Sequence, residues 1–210
     1  MTDRAELLTI SALALSLPLA WVVVALAQHM RVLEYTTAMT VEGLAFEVGV
    51  IAVAAIILRK RGWSGRPFRI RITPLTLLIG VMLTILYVWT SWIVFSITTR
   101  YVPEVRLIVR HTAPVWLTVV FFVANSFFEE AFASAYLVEA FERGGVVHVV
   151  TWSAAIRAAY HLYQGPSGAI TVFFLGAALA QIYRRERNIG IPFAAHTIIN
   201  LAIFYFATRP

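Results

Sequence analysis

Residues 114–138 read PVWLTVVFFVANSFFEEAFASAYLV. The run is long enough to cross the ~30 Å hydrocarbon core of a bilayer as a helix. Its only charges are the adjacent carboxylates of Glu129 and Glu130. In lipid every backbone donor and acceptor must be paired within the segment, which makes such a run helical. Two ionisable side chains inside it are costly unless they face partners or a cavity within a bundle. The stretch therefore predicts a helical membrane protein with a polar interior, and the rest of the chain has to supply both.

Six further apolar runs flank it. The first covers Leu7 to Leu26, the second Val41 to Leu58 and the third Pro74 to Thr98. A short fifth runs from Val146 to His161 and ends at Tyr163-Gln164-Gly165-Pro166, where glycine and proline break a helix. The sixth runs from Ser167 to Tyr183 and the seventh from Gly190 to Ala207. The expectation is an all-α polytopic membrane protein of about seven transmembrane helices. N-terminal transmembrane helices occupy 1–112, and a C-terminal four-helix catalytic core occupies 113–210. Composition agrees: 13% of residues are charged and 60% hydrophobic, whereas a soluble domain carries about a quarter charged residues.

The net charge of +6 does not point to nucleic acid. The basic residues fall in tracts between apolar runs, Arg59-Lys60-Arg61 to Arg71 and Arg184-Arg185-Glu186-Arg187, a pattern of topology and contact with anionic lipid head groups. Threading seven spans puts both tracts on one side. Taken as cytoplasmic, they place the N-terminus inside and the C-terminus outside a cell membrane, although Arg100, Arg106 and Arg110 then lie outside, against the positive-inside rule. The absence of cysteine excludes disulfides, thiolate metal sites and a cysteine nucleophile. Ala25-Leu26-Ala27 resembles a signal-peptidase site. Asp3, Arg4 and Glu6, however, give no positive n-region, and the apolar core exceeds the ~7–15 residues usual in a signal peptide. The first run is read as a retained span.

The intramembrane ionisable groups concentrate in the C-terminal half. Arg157 and His161 are four apart on the fifth run, as are His196 and Asn200 on the seventh, so each pair shares a helix face. With Glu129 and Glu130, three helices offer polar stripes to a common pocket. A polar network can simply lock helices together, at measured averages near 0.6 kcal/mol per bond. Small residues such as Gly176 and Ala180 already serve close packing, so the cluster reads as functional. A carboxylate beside a histidine can hold and deprotonate water, and a second histidine with an asparagine can donate to the resulting oxyanion. That set suits amide hydrolysis. Alternatively, the carboxylates and histidines can ligate a divalent metal that activates the water.

At these residues the chain resembles the CPBP family of intramembrane proteases, which includes type II CAAX prenyl endopeptidases and bacteriocin-processing and self-immunity proteins. Its motifs are E-E-x-x-x-R, F-x-x-x-H and H-x-x-x-N or D on successive core helices. Glu129-Glu130 opens the first motif, His161 ends the second, and His196-Thr197-Ile198-Ile199-Asn200 completes the third. The resemblance implies that Glu129 is the general base, acting with His161 on water, that His196 and Asn200 form the oxyanion hole, and that Glu130 supports them. It implies no cofactor; the alternative is a divalent metal such as zinc at Glu129, His161 and His196. The implied substrate is a peptide or lipidated protein, either a prenylated C-terminus or a leader or membrane-anchored peptide.

Two positions depart from the motifs. Ser134 stands where the arginine is expected, and Arg157 where the phenylalanine is. Arg157 can reach Glu130 from the neighbouring helix and replace the missing cation. Without such compensation the chain is a catalytically degenerate scaffold or immunity protein. A proton-coupled transporter is a further rival, since intramembrane Glu and His also build proton relays. Glu42 and Glu47 are weighed as lining a substrate path, with helix-end snorkelling or pairing in the bundle the commoner role. His29, His111 and His148 are read as interfacial.

Overall fold

The computed structural model describes residues 4–28, 32–102 and 108–207. His29 and Arg106 lie outside the described residues. Seven helices follow one another: α1 (Arg4–Ala27), α2 (Thr37–Lys60), α3 (Pro74–Thr98), α4, α5 (Val146–Tyr160), α6 (Gly165–Glu186) and α7 (Gly190–Ala207). The fourth is composite. It runs α-helically over Val115–Glu129, widens into a π-helix over Glu130–Tyr136, and closes over Leu137–Phe141.

Five of these are long and apolar enough to cross a membrane: α1, α2, α3, α4 with its extension to Gly144, and α6 with the turn before it. The other two are shorter. α5 has 15 residues, which gives about 22 Å of helix. The chain is thus an all-helical polytopic membrane protein, and the helical break expected at Gly165-Pro166 is present. Gly165 adopts φ 86°, a conformation open to residues without a Cβ, and Pro166 sits in the first turn of α6.

One element was not expected. Val32–Tyr35 (β1) and Ile108–His111 (β2) form a two-stranded parallel ribbon, with Glu34 opposite Arg110 and Tyr35 opposite His111. The ribbon leaves the all-α class unchanged; strands this short have no periodicity to read, and their pairing is remote in sequence. The backbone N–H groups of Thr112 and Ala113 both donate to the Tyr35 carbonyl, tying the start of α4 to the ribbon. At the other end of the bundle the two basic tracts meet. The Arg71 N–H donates to Asn188 Oδ1 at 2.9 Å, and the Ile189 N–H donates to the Arg69 carbonyl at 3.0 Å.

Burial ranks the helices. Half of the apolar window of α4 is buried, against 11% for α3, so α4 is the axis and α3 a lipid-facing wall. The exposed Leu78, Ile85, Trp89 and Trp92 of α3 meet hydrocarbon at no cost. α4 joins two apolar clusters. Phe128, Phe132 and Leu137 pack on Ile10 and Ala14 of α1 and Val50 of α2, while Ala135 and Val138 pack on Val149 of α5 and Ala180 of α6. The helices of residues 1–112 pack along those of 113–210, α2 on α4 and α3 on α7. Gly80 permits the second approach, since a Cβ there would lie 3.3 Å from the Ala195 nitrogen.

Candidate active site

Successive helical residues point about 100° apart, so Glu129 and Glu130 face different neighbours. Glu130 is fully buried. Arg157 grips it with Nη1 donating to Oε1 at 2.7 Å and Nη2 to Oε2 at 3.0 Å. Ser134 Oγ donates to Oε2, and His196 Nδ1 lies 2.8 Å from Oε1. The guanidinium paired with Glu130 is therefore supplied by α5, and Arg157 Nη2 also lies 3.4 Å from Ser134 Oγ. A close crossing of α6 on α5 completes the housing. A Cβ on Gly176 would sit 3.0 Å from Arg157 Cδ and 3.3 Å from its Nε.

The contacts form ladders. From α5 to α4 the rungs are Ser153 Oγ to the Ala133 carbonyl (2.7 Å), Arg157 to Glu130, and Tyr160 OH to Glu129 Oε2 (2.7 Å). From α7 to α4 they are His196 with Glu130, and Asn200 Nδ2 to Ser126 Oγ at 3.2 Å. The π-helical stretch contributes directly. It carries Glu130 and Ser134, and the Ala133 carbonyl within it is the one bonded by Ser153. Such widened turns are rare and frequent at functional sites.

Hydrogen-bond partners fix the histidine tautomers. His161 caps the C-terminus of α5, and its Nδ1 lies 3.0 Å from the Arg157 carbonyl. A carbonyl only accepts, so Nδ1 carries the proton and the neutral ring keeps a free lone pair on Nε2. The same logic puts a proton on His196 Nδ1, which faces a carboxylate. Glu129, 9% exposed, spends Oε2 on Tyr160, with Arg157 Nη1 at 3.8 Å; no described group bonds its Oε1.

Glu129, His161, His196 and Asn200 all line one cavity of about 350 Å³, which Tyr35 and His111 of the ribbon also line. A second cleft of about 230 Å³, mostly apolar, lies between α1, α2 and α4. Glu129 and His161 belong to both. Among the described residues no three His, Asp or Glu side chains form a group able to hold a metal ion. Glu129, His161 and His196 line one cavity without forming such a group.

Residues 111–202 match the family model described as type II CAAX prenyl endopeptidase Rce1-like. Over that stretch the C-terminal bundle is similar to the Rce1-like family. The match takes in α4, α5, α6 and the two polar residues of α7, and it bears out the resemblance read from the three motifs. No curated protein and no solved structure matches the chain. The likeness is to a family of membrane-embedded proteases, which are hydrolases.

Beside the Rce1-like motifs stand residues that the sequence reading passed over. Tyr160 holds Glu129, Ser126 holds Asn200, and Asn125 Nδ2 donates to Glu47 Oε1 at 2.7 Å. Their only signal was adjacency to motif positions. His111 is not merely interfacial. It stacks on Tyr35 with ring centroids 5.0 Å apart, and burial lowers its basicity below that of a free histidine. His148 packs on Phe141 and Trp152, away from the cavity.

Proposed function

We propose that the chain is an intramembrane endopeptidase in which Glu129 and His161 activate a water molecule for attack on a peptide carbonyl. The observation that carries this reading is the convergence of Glu129, His161, His196 and Asn200 on one cavity wall. A water between Glu129 Oε1 and His161 Nε2 meets two acceptors and gives its proton to the carboxylate as its oxygen bonds to the carbonyl carbon. Charge then develops on the carbonyl oxygen. Asn200 has a second N–H to offer besides the one on Ser126. His196 Nε2 donates as well when its ring carries both protons. Collapse of the intermediate breaks the C–N bond, and the departing amine takes the proton held by Glu129.

The adjoining apolar cleft supports a substrate that is itself apolar: a lipidated protein C-terminus, or a leader or membrane-anchored peptide. The full chain in nanodiscs, incubated with such peptides and followed by mass spectrometry for the appearance of a cleaved product, tests the reading. Asn200→Ala is expected to lower kcat by about 10²–10³-fold, the range for loss of one oxyanion donor, with little change in KM. A change confined to KM would remove Asn200 from that role.

We further propose that the reaction needs no metal, since among the described residues no three His, Asp or Glu side chains form a group able to hold one. Saturating EDTA or 1,10-phenanthroline is expected to leave turnover unchanged. Loss of activity that added zinc restores would assign the water to a metal instead.

A further inference from the structure

The apolar cleft contains an acidic residue that the hydrolytic machinery leaves unused. Glu47, in the middle of α2, is 5% exposed, and its Oε1 accepts from Asn125 Nδ2 at 2.7 Å. Its Oε2 is buried with no partner among the described residues. An unsatisfied carboxylate oxygen inside a membrane protein is among the costlier features a fold can keep. Glu42 lines the same cleft nearer the ribbon end of α2, exposed where Glu47 is buried, and Glu129 lines it too. Among the described residues no lysine or arginine lines this cleft. Three carboxylates therefore face one largely apolar space, and among the described residues Glu47 has no cation paired with it.

The rest of the wall mixes aliphatic residues with aromatic rings, among them Trp21 of α1, Tyr35 of β1, Phe46 of α2, and Phe121 and Phe128 of α4. Ring faces attract cations, tryptophan most strongly. Carboxylates set among aromatic rings in a cleft poor in other donors make a receptor for a positively charged side chain on an apolar stem. A lysine or arginine fits, since its methylenes can lie along apolar surface while its head reaches an acceptor.

We propose that Glu47, assisted by Glu42, is a specificity site that takes a lysine or arginine side chain of the substrate segment lying in the apolar cleft beside Glu129. This rests on the endopeptidase reading above. It adds that the preferred substrate is an apolar segment bearing one basic residue near the scissile bond. Glu47 is a positioning residue here and has no part in bond breaking.

The test uses the full chain in nanodiscs and a set of synthetic apolar peptides identical except at one position, which carries lysine, arginine, norleucine or glutamate. Cleavage is followed by mass spectrometry, and affinity is measured separately with versions whose amide bonds are N-methylated. The wild-type protein is expected to favour lysine over norleucine by about tenfold or more in kcat/KM and in affinity, as for a desolvated charge pair. Glu47→Gln keeps the shape and an acceptor for Asn125, and it is expected to bring that ratio close to one. Glu47→Lys is expected to shift the preference towards glutamate. A purely structural Glu47 would alter all peptides alike and leave the ratio intact, which overturns the proposal. Cleavage of none of the peptides, with the lysine preference in affinity still present and still lost in Glu47→Gln, would sink the endopeptidase reading and uphold the site. No preference in either measurement overturns the site whatever the cleavage result.

Discussion

Arg157→Met is expected to be the most destabilising single substitution in the chain. It leaves the Glu130 carboxylate buried at zero exposure, with a serine hydroxyl and an imidazole but no guanidinium. Breaking one side of a buried ion pair costs about 3–5 kcal/mol, a large share of the ~5–15 kcal/mol that holds a typical domain together. Replacing both members with neutral groups removes the uncompensated charge. Arg157→Met combined with Glu130→Gln is therefore expected to recover much of the loss, because glutamine keeps an oxygen for His196 Nδ1. Arg157→Lys should fall between, since an ammonium cannot reproduce the two-pronged contact. Thermal unfolding in nanodiscs measures all three. Wild-type stability in Arg157→Met, or a double variant worse than the single, would mean the pair does not support the bundle.

That pair also marks how far the sequence could be read. The apolar runs located all seven helices, because a bilayer forces backbone pairing within each segment and composition then suffices. Ser134 and Arg157, each anomalous against its motif, made a single prediction when taken together: a cation missing from α4 and a surplus one on α5. The i, i+4 spacing put His196 and Asn200 on one face, and the structure lays that face against Glu130 and Ser126. What could not be read depends on which rotation each helix adopts about its axis. Tyr160 follows Arg157 by three positions and carries no motif signal of its own; at the end of α5 its hydroxyl reaches Glu129. The π-helical widening at Glu130–Tyr136 leaves no compositional mark, nor does the pairing of β1 with β2 across more than seventy residues of chain. Glu47 looked like a residue for snorkelling or pairing until its burial and its half-satisfied carboxylate were visible.

Glu129→Gln separates hydrolysis from binding more sharply than any other change, because it alters acid–base capacity and little else. The amide is the size of the carboxylate, and its oxygen still accepts the Tyr160 hydroxyl that now lies 2.7 Å from Oε2. The ladder between α4 and α5 therefore survives, and unfolding should shift far less than in Arg157→Met. An amide, however, takes no proton from water at neutral pH. A positioned general base typically contributes about 10²–10⁴-fold, so turnover is expected to drop by at least about a hundredfold, with substrate affinity within a few-fold of wild type. The contrast with Arg157→Met is the informative part: one variant should be folded and inactive, the other unstable. Product formation near the wild-type rate in a folded Glu129→Gln protein would remove Glu129 as the base. Were the wild type itself to bind apolar peptides without cleaving them, the polar cavity would be that of a binding protein built on a protease scaffold.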